Sequence, residues 1–216
     1  MNLQNSVLQN TEKLKRFIIS FYAIGVTGIL LPYTSTFFVV LTPLALIMSF
    51  VLLMLQHKTF DVKTIAVFSL IFIGGLAFEI TGVATGDIFG NYSYGNTLGP
   101  KIAGTPYLMG INWILMIYLS ASVIENVKIH QMLKILLSSV IMVCYDLILE
   151  QVAPGMNMWK WENNQIPFQN YVAWFSIALF FHSLVKLFKI NTYNELSATI
   201  LISQFLFFAL LLFKFL

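Results

Sequence analysis

Charge is scarce in this chain. Of its 216 residues only 10% are Asp, Glu, Lys or Arg and 58% are apolar, where a soluble domain carries roughly 25% charged residues. A globule of this length cannot hide so much apolar surface, so a water-soluble enzyme is excluded. A disordered chain is excluded too, because disorder needs low hydrophobicity and high charge. Twelve basic against nine acidic residues leave a net charge of +3, too weak to point to nucleic acid. Cysteine is almost absent: Cys144 stands alone, so no internal disulfide forms. His57, His130 and His182 follow no metal-ligand spacing. No glycine-rich nucleotide fingerprint or serine nucleophile motif occurs, and TGDIFG lacks the lysine and spacing of a phosphate loop.

Long apolar runs are what the chain has. A spanning helix needs about 20 mostly apolar residues. Seven runs qualify or come near: 17–31, 35–56, 64–83, 107–124, 133–152, 171–188 and 195–215. The first is short and stops at Pro32, so six to eight spans are allowed. The runs are too long and too uniformly apolar for barrel strands, and lipid leaves only helices or closed barrels. The expected fold is therefore all-α, a polytopic transmembrane helix bundle in a single domain over 1–216, with a polar N-terminal segment over 1–16 that is not a cleavable signal. Nine Lys and Arg lie in the connections on the N-terminal side and three on the other. The positive-inside rule then puts the N-terminus in the cytoplasm and makes 84–106 and 153–170 non-cytoplasmic. Those two connections are rich in Gly, Pro, Asn, Tyr and Trp and read as ordered loops.

Three acids fall within or at the ends of apolar runs, where a carboxylate is costly and usually functional. Glu79, near the outer end of the third run, is either an interfacial acid or a group at the mouth of a cavity. Asp146 and Glu150 stand four apart, which puts both carboxyls on one helical face about one turn apart. Two such groups resist simultaneous ionisation, an arrangement suited to a general acid beside a base. The bland alternative has Glu150 ending its helix in water and Asp146 bonded to a loop donor. All four tryptophans, Trp113, Trp159, Trp161 and Trp174, fall at the outer boundary. An interfacial aromatic belt would populate both boundaries, so the one-sided cluster points to a site lined with rings. Tyr92, Tyr94, Asn112 and Asn170 share that side. Asp87 is a weaker candidate, since an acid in a glycine-rich loop usually makes a turn bond.

The stretch from Glu79 to Trp113 resembles the signature of the integral-membrane carotenoid biosynthesis family. That family includes the CruF-type carotenoid 1,2-hydratases and the hydratase of bisanhydrobacterioruberin. Its pattern of a Glu followed by G-x-x-T-G-x-x-F-G-x-Y-x-Y is met by Glu79, Gly82, Thr85, Gly86, Phe89, Gly90, Tyr92 and Tyr94, and continues to Pro106 and Trp113. A second block, Asp146 and Glu150, then Trp159 and Trp161, then Pro167, Asn170, Tyr171 and Trp174, is similar to the family as well. The resemblance covers residues 75–175. Glu150 stands where Asp is common, and the segment before Pro167 lacks an expected Gly-x-Tyr.

The resemblance implies an enzyme that adds water across the terminal C1=C2 double bond of an acyclic carotenoid end group, giving a tertiary alcohol. Protonation of such an alkene gives a tertiary carbocation. It requires a desolvated acid and calls for no cofactor and no metal. The expected roles are Asp146 as proton donor and Glu150 or Glu79 as the group that holds water. Trp113, Trp159, Trp161 and Trp174, with Phe89, Tyr92, Tyr94, Asn112 and Asn170, would bind the substrate. Aromatic faces stabilise a cation by about 0.5–2 kcal/mol. The implied partners are membrane lipid, an acyclic carotenoid (lycopene, a monocyclic carotene or a C50 chain) and other carotenoid enzymes, in a bacterial or archaeal cytoplasmic membrane. Two alternatives stand beside this. A lycopene-type cyclase would use the same protonation and quench the cation internally; a non-catalytic carotenoid-binding protein would not turn over. A retinal-binding pump is disfavoured because the last run offers only Lys214, at its very end. A transporter is disfavoured because the charged groups sit at one end.

Overall fold

The computed structural model describes residues 3–215. Of the polar segment expected over 1–16 and the domain expected over 1–216, residues 1, 2 and 216 lie outside the described residues. The chain is an all-α helix bundle. In order it forms α1 (Leu3–Leu30), α2 (Ser35–Val40), α3 (Thr42–Leu55), α4 (Val62–Thr85), β1 (Tyr92–Tyr94), β2 (Lys101–Ile102), β3 (Thr105–Pro106), α5 (Leu108–Glu125), α6 (Gln131–Val152), β4 (Trp159–Trp161), α7 (Phe168–Leu187) and α8 (Ser197–Phe215). Five of these, α4 to α8, are long and apolar enough to cross a membrane, and the chain is an integral membrane protein.

The run 35–56, expected as one helix, is two. Pro43 has no N–H to give to the Val39 carbonyl, so a continuous helix would leave that acceptor empty. The Thr42 hydroxyl takes it instead, at 2.7 Å, and the helix is interrupted at Leu41 between α2 and α3. Sharper signals bound α4. Asp61 caps its first turn by accepting from the Thr64 N–H at 2.8 Å. Gly86 ends it in the left-handed conformation, φ +72°, which costs a side-chain-bearing residue strain.

Helix α5 is the axis of the bundle. It packs against α3, α4, α6, α7 and α8, and 78% of its most apolar window is buried against 33% for α4, α6 and α8. It is apolar all round because every side meets protein. The surrounding helices turn Ile73, Leu147, Val172 and Leu210 outward, onto a surface that only lipid can cover. Gly75 lets α4 approach α5: a Cβ there would stand 2.5 Å from the Trp113 ring.

The two ends of the bundle differ. At one end lie 84–106 and 153–170, here named the loop end. At the other, buried polar groups serve one another. His182 bonds Ser120 at 2.9 Å, Ser139 at 3.2 Å and the Ala178 carbonyl at 2.7 Å. His57 meets the Tyr118 hydroxyl at 2.8 Å. Lys186 pairs with Glu125, whose backbone carbonyl accepts from Lys134.

Candidate active site

The loop end is built on a short β ribbon. In β1 and β4 the rings recur at every second residue, so each strand turns its aromatics to one face and Ser93 or Lys160 to the other. The strands pair antiparallel with Tyr92 opposite Trp161 and Tyr94 opposite Trp159. Gly95 N–H to the Met158 carbonyl at 2.8 Å and Glu162 N–H to the Asn91 carbonyl at 2.9 Å extend the ribbon at both ends. Its aromatic face closes over the helix ends that carry the acids. Sequence analysis read these connections as ordered loops without strands. The signal was present in Y-x-Y and W-x-W, which have the period of a strand.

Glu79 on α4 is buried and accepts three hydrogen bonds. Tyr92 Oη and Tyr94 Oη donate to Oε2 at 2.8 and 2.7 Å, and Trp113 Nε1 donates to Oε1 at 3.0 Å. Burial first, then the neighbouring Glu79 carboxylate, hold both phenols above the ordinary tyrosine range, so they remain donors. Glu150, at the end of α6, likewise accepts three. Trp159 and Trp161 donate their indole N–H to Oε2 at 2.9 and 2.6 Å, and Asn170 Nδ2 reaches Oε1 at 3.1 Å. Hydrogen bonds to a charged group contribute about 1.5–3 kcal/mol each, so three offset a large part of the cost of burying a carboxylate. Each set of donors is local in sequence: those of Glu79 lie between 92 and 113, those of Glu150 between 159 and 170.

Asp146 is differently provided. It is fully buried one turn before Glu150, and the same Asn170 Nδ2 reaches its Oδ2 at 3.2 Å. Its Oδ1 has no hydrogen-bond partner. One amide thus bridges the two carboxyls. Neither they nor Glu79 forms a salt bridge; among the described residues the only ion pairs are Lys15–Glu12 and Lys186–Glu125.

Glu79 and Glu150 face a common narrow cavity, walled by Phe89, Tyr92, Tyr94, Met109, Trp159, Trp161, Asn170 and Trp174. It has room for about one water-sized molecule. Trp113 lies behind Trp174, stacked on it with ring centres 4.5 Å apart and planes within 17°. The site residues singled out in the sequence therefore fall into three groups. Glu79, Glu150, Phe89, Tyr92, Tyr94, Trp159, Trp161, Asn170 and Trp174 line the cavity. Asp146 and Trp113 stand one residue behind its wall. Asn112 lies off it, against a neighbouring small void that it shares with Met109, Trp159 and Tyr145. Asp87 is exposed and makes turn contacts: its N–H donates to Thr85 Oγ1 at 3.1 Å and its carbonyl accepts from Gln169. Met109, which sequence analysis missed, walls both voids. A methionine in an apolar run carries no signal that separates it from lipid-facing neighbours.

Buried acids without cations, arrayed under indoles and phenols in a lipid-immersed bundle, suit proton chemistry on an apolar molecule. Comparison with known proteins narrows the setting. No curated protein and no solved structure matches the chain, but a family model described as "Carotenoid biosynthesis protein" matches residues 35–215. That match spans α2 to α8 and every residue of the site, and on it the chain belongs to the carotenoid biosynthesis protein family.

Proposed function

We propose that the protein is a cofactor-independent carotenoid hydratase that adds water to the terminal C1=C2 bond of an acyclic end group. The observation that carries this reading is the unequal provision of three carboxyls, two at the wall of a water-sized cavity and one just behind it. Glu79 is saturated with donors, the condition of a group that accepts a proton and orients water, and Glu150 is held at the cavity wall by three of its own. Asp146 keeps one buried oxygen without a donor, the condition of a carboxyl that carries hydrogen.

In the proposed reaction, the Asp146–Glu150 pair gives one proton to C2 of the end group. Glu150 is the member at the cavity wall, and the shared Asn170 amide holds the two carboxyls side by side. The electron pair of the double bond forms the new C–H bond and C1 becomes a tertiary cation. The indole and phenol faces around the cavity stabilise that charge. Water held against Glu79 forms the C–O bond, and its proton passes to Glu79. Return of that proton to the acid pair restores the site, and the net change is addition of one water per end. Polar groups of Glu79, Glu150 and Asn170 at the cavity wall, able to orient a water, support this over cyclisation, which requires water to be kept out.

The test is expression in a lycopene-accumulating host, with pigments separated by chromatography and weighed by mass spectrometry. A more polar pigment heavier by one or two waters is expected. An isobaric pigment with a shortened chromophore would replace this reading by cyclisation. Unchanged pigment retained on the purified protein, with lycopene, monocyclic and C50 substrates alike, would replace it by binding without turnover.

A further inference from the structure

The small void beside the carboxylate cavity is walled mainly by leucine, methionine and aromatic side chains, Leu98, Met158 and Phe208 among them. Three polar residues break that wall: Thr42 on α3, Asn112 on α5 and Tyr145 on α6. Asn112 is 6% exposed and Tyr145 4%. Among the described residues, neither side chain forms a hydrogen bond. The Thr42 hydroxyl gives its hydrogen to the Val39 carbonyl, and its oxygen keeps lone pairs free to accept. An amide and a phenol on packed helices therefore share one void, each with its bonding capacity unused.

Size and chemistry select what fits there. The void leaves about 20 Å³ to a water-sized molecule, and one buried water needs about 10–15 Å³ on the same measure. An apolar group of that size would leave both side chains unpaired. A metal cation finds no carboxylate on this wall. Water meets each requirement. It accepts from the Tyr145 O–H, meets either end of the Asn112 amide and donates to Thr42 Oγ1, close to the number of bonds usual for a buried water. Ordering one water costs less than leaving two buried polar groups without partners.

We propose that Asn112 and Tyr145 hold one resident water molecule in this void, and that it ties α5 to α6 behind the carboxylate cavity. The tie falls at the level of the site. Asn112 adjoins Trp113, which donates to Glu79, and Tyr145 adjoins Asp146. The water thus spans the helix that holds one carboxyl and the helix that carries the other two. Its place is separate from the space between Glu79 and Glu150, with Met109 and Trp159 as the shared wall. Nothing in it depends on which reaction the carboxyls perform.

Two measurements on the purified protein test it. Brief X-ray radiolysis turns bound water into hydroxyl radicals, which oxidise the side chains that touch it. Met158 lines this void and not the carboxylate cavity, Met116 and Met142 line neither, and all three are at most 3% exposed. Met158 is expected to be oxidised several-fold faster than Met116 and Met142, and at their rate when Asn112→Leu and Tyr145→Phe are combined. Equal rates for the three methionines in the wild type would overturn the site. The second measurement is thermal unfolding of the single variants, where the sign decides. Around a shared water, Asn112→Leu and Tyr145→Phe each remove a satisfied bond and should lower the midpoint by about 2–4 °C. Their effects should fall short of additive in the double variant, because one water serves both. In a dry void each substitution deletes an unpaired polar group instead, so a raised midpoint in either variant would overturn the proposal.

Discussion

The two ends of the bundle solve the same problem by different means. Both bury polar groups in apolar surroundings, where an unpaired donor or acceptor costs about 1–3 kcal/mol. At the end away from the loops, the partners are neutral or oppositely charged: His182 with Ser120 and Ser139, His57 with Tyr118, Glu125 with Lys186. This set is paired within itself apart from His57 Nε2, and it contains no carboxyl held by neutral donors alone. At the loop end, three carboxyls are held only by neutral N–H and O–H donors, and one oxygen is left over. A lysine in place of any of these donors would stabilise the acids further and disable them as proton donors. The comparison separates burial that serves the fold from burial that serves chemistry, and substitutions at each end should separate in the same way.

The largest effect is expected at the acid that walls the cavity. Glu150→Gln keeps shape and removes the titrating group, and should lower conversion by about 10²–10⁴, the range for loss of a general acid or base. Its detergent-extracted yield and thermal unfolding should stay near wild type. A variant that still makes product at the wild-type rate would remove Glu150 from the mechanism. Asp146→Asn should fall in the same range, since the two act as a unit. If it loses much less activity than Glu150→Gln, Asp146 serves only to position its neighbour.

Trp161→Phe keeps a ring against the cavity and deletes one donor to Glu150. With a bond to a charged group worth about 1.5–3 kcal/mol, product formation per folded molecule should drop by roughly tenfold to a hundredfold. Trp174→Phe, whose indole makes no bond to the three acids, is the control; an equal loss there would assign the effect to ring size rather than to hydrogen bonding.

At the opposite end, His182→Ala should cost about 1–3 kcal/mol of stability by deleting its bonds to Ser120 and Ser139, which keep only the Met116, Ile117 and Ile135 carbonyls of their own helices. Thermal unfolding reports this as a lower midpoint, while turnover of the folded fraction is unchanged. A turnover defect without a stability defect would erase the contrast between the ends.

The smallest effect concerns pH. His57 lies in the connection between α3 and α4, and burial pushes its imidazole below the ordinary histidine range. The unfolded chain then binds a proton more readily than the fold. The stability His57 contributes is complete above about pH 6.5, its unfolded value, and is lost as pH falls below that. Thermal midpoints measured across that window should decline in wild type and decline less in His57→Gln.

Much of this was legible in the sequence, for reasons that differ by element. The apolar runs of α4 to α8 announce themselves because lipid demands length and uniform apolarity. The placement of Glu79, Asp146, Glu150 and the tryptophans at one boundary follows from counting along those runs. Asp146 and Glu150 share a face because spacing by four guarantees it. Partnerships across sequence were not legible. Nothing local says that Tyr92 and Tyr94 bond Glu79 while Trp159 and Trp161 bond Glu150, because strand register depends on where α4 and α6 end in space. The α2–α3 break was hidden by apolarity: Pro43 was visible, but proline is tolerated near a helix start as well as being a breaker. Helix α5 looked like any other span, although its neighbours are protein and not lipid.

The donors that cage each glutamate come from its own half of the chain: Tyr92, Tyr94 and Trp113 for Glu79, Trp159, Trp161 and Asn170 for Glu150. In the order of synthesis, Glu79 can be sheltered once α5 has emerged, before α6 exists, and Glu150 once α7 begins. Neither half has to hold a naked carboxylate in lipid while it waits for the other. What remains is the pairing of β1 with β4, which brings the two separately sheltered acids to the wall of one cavity.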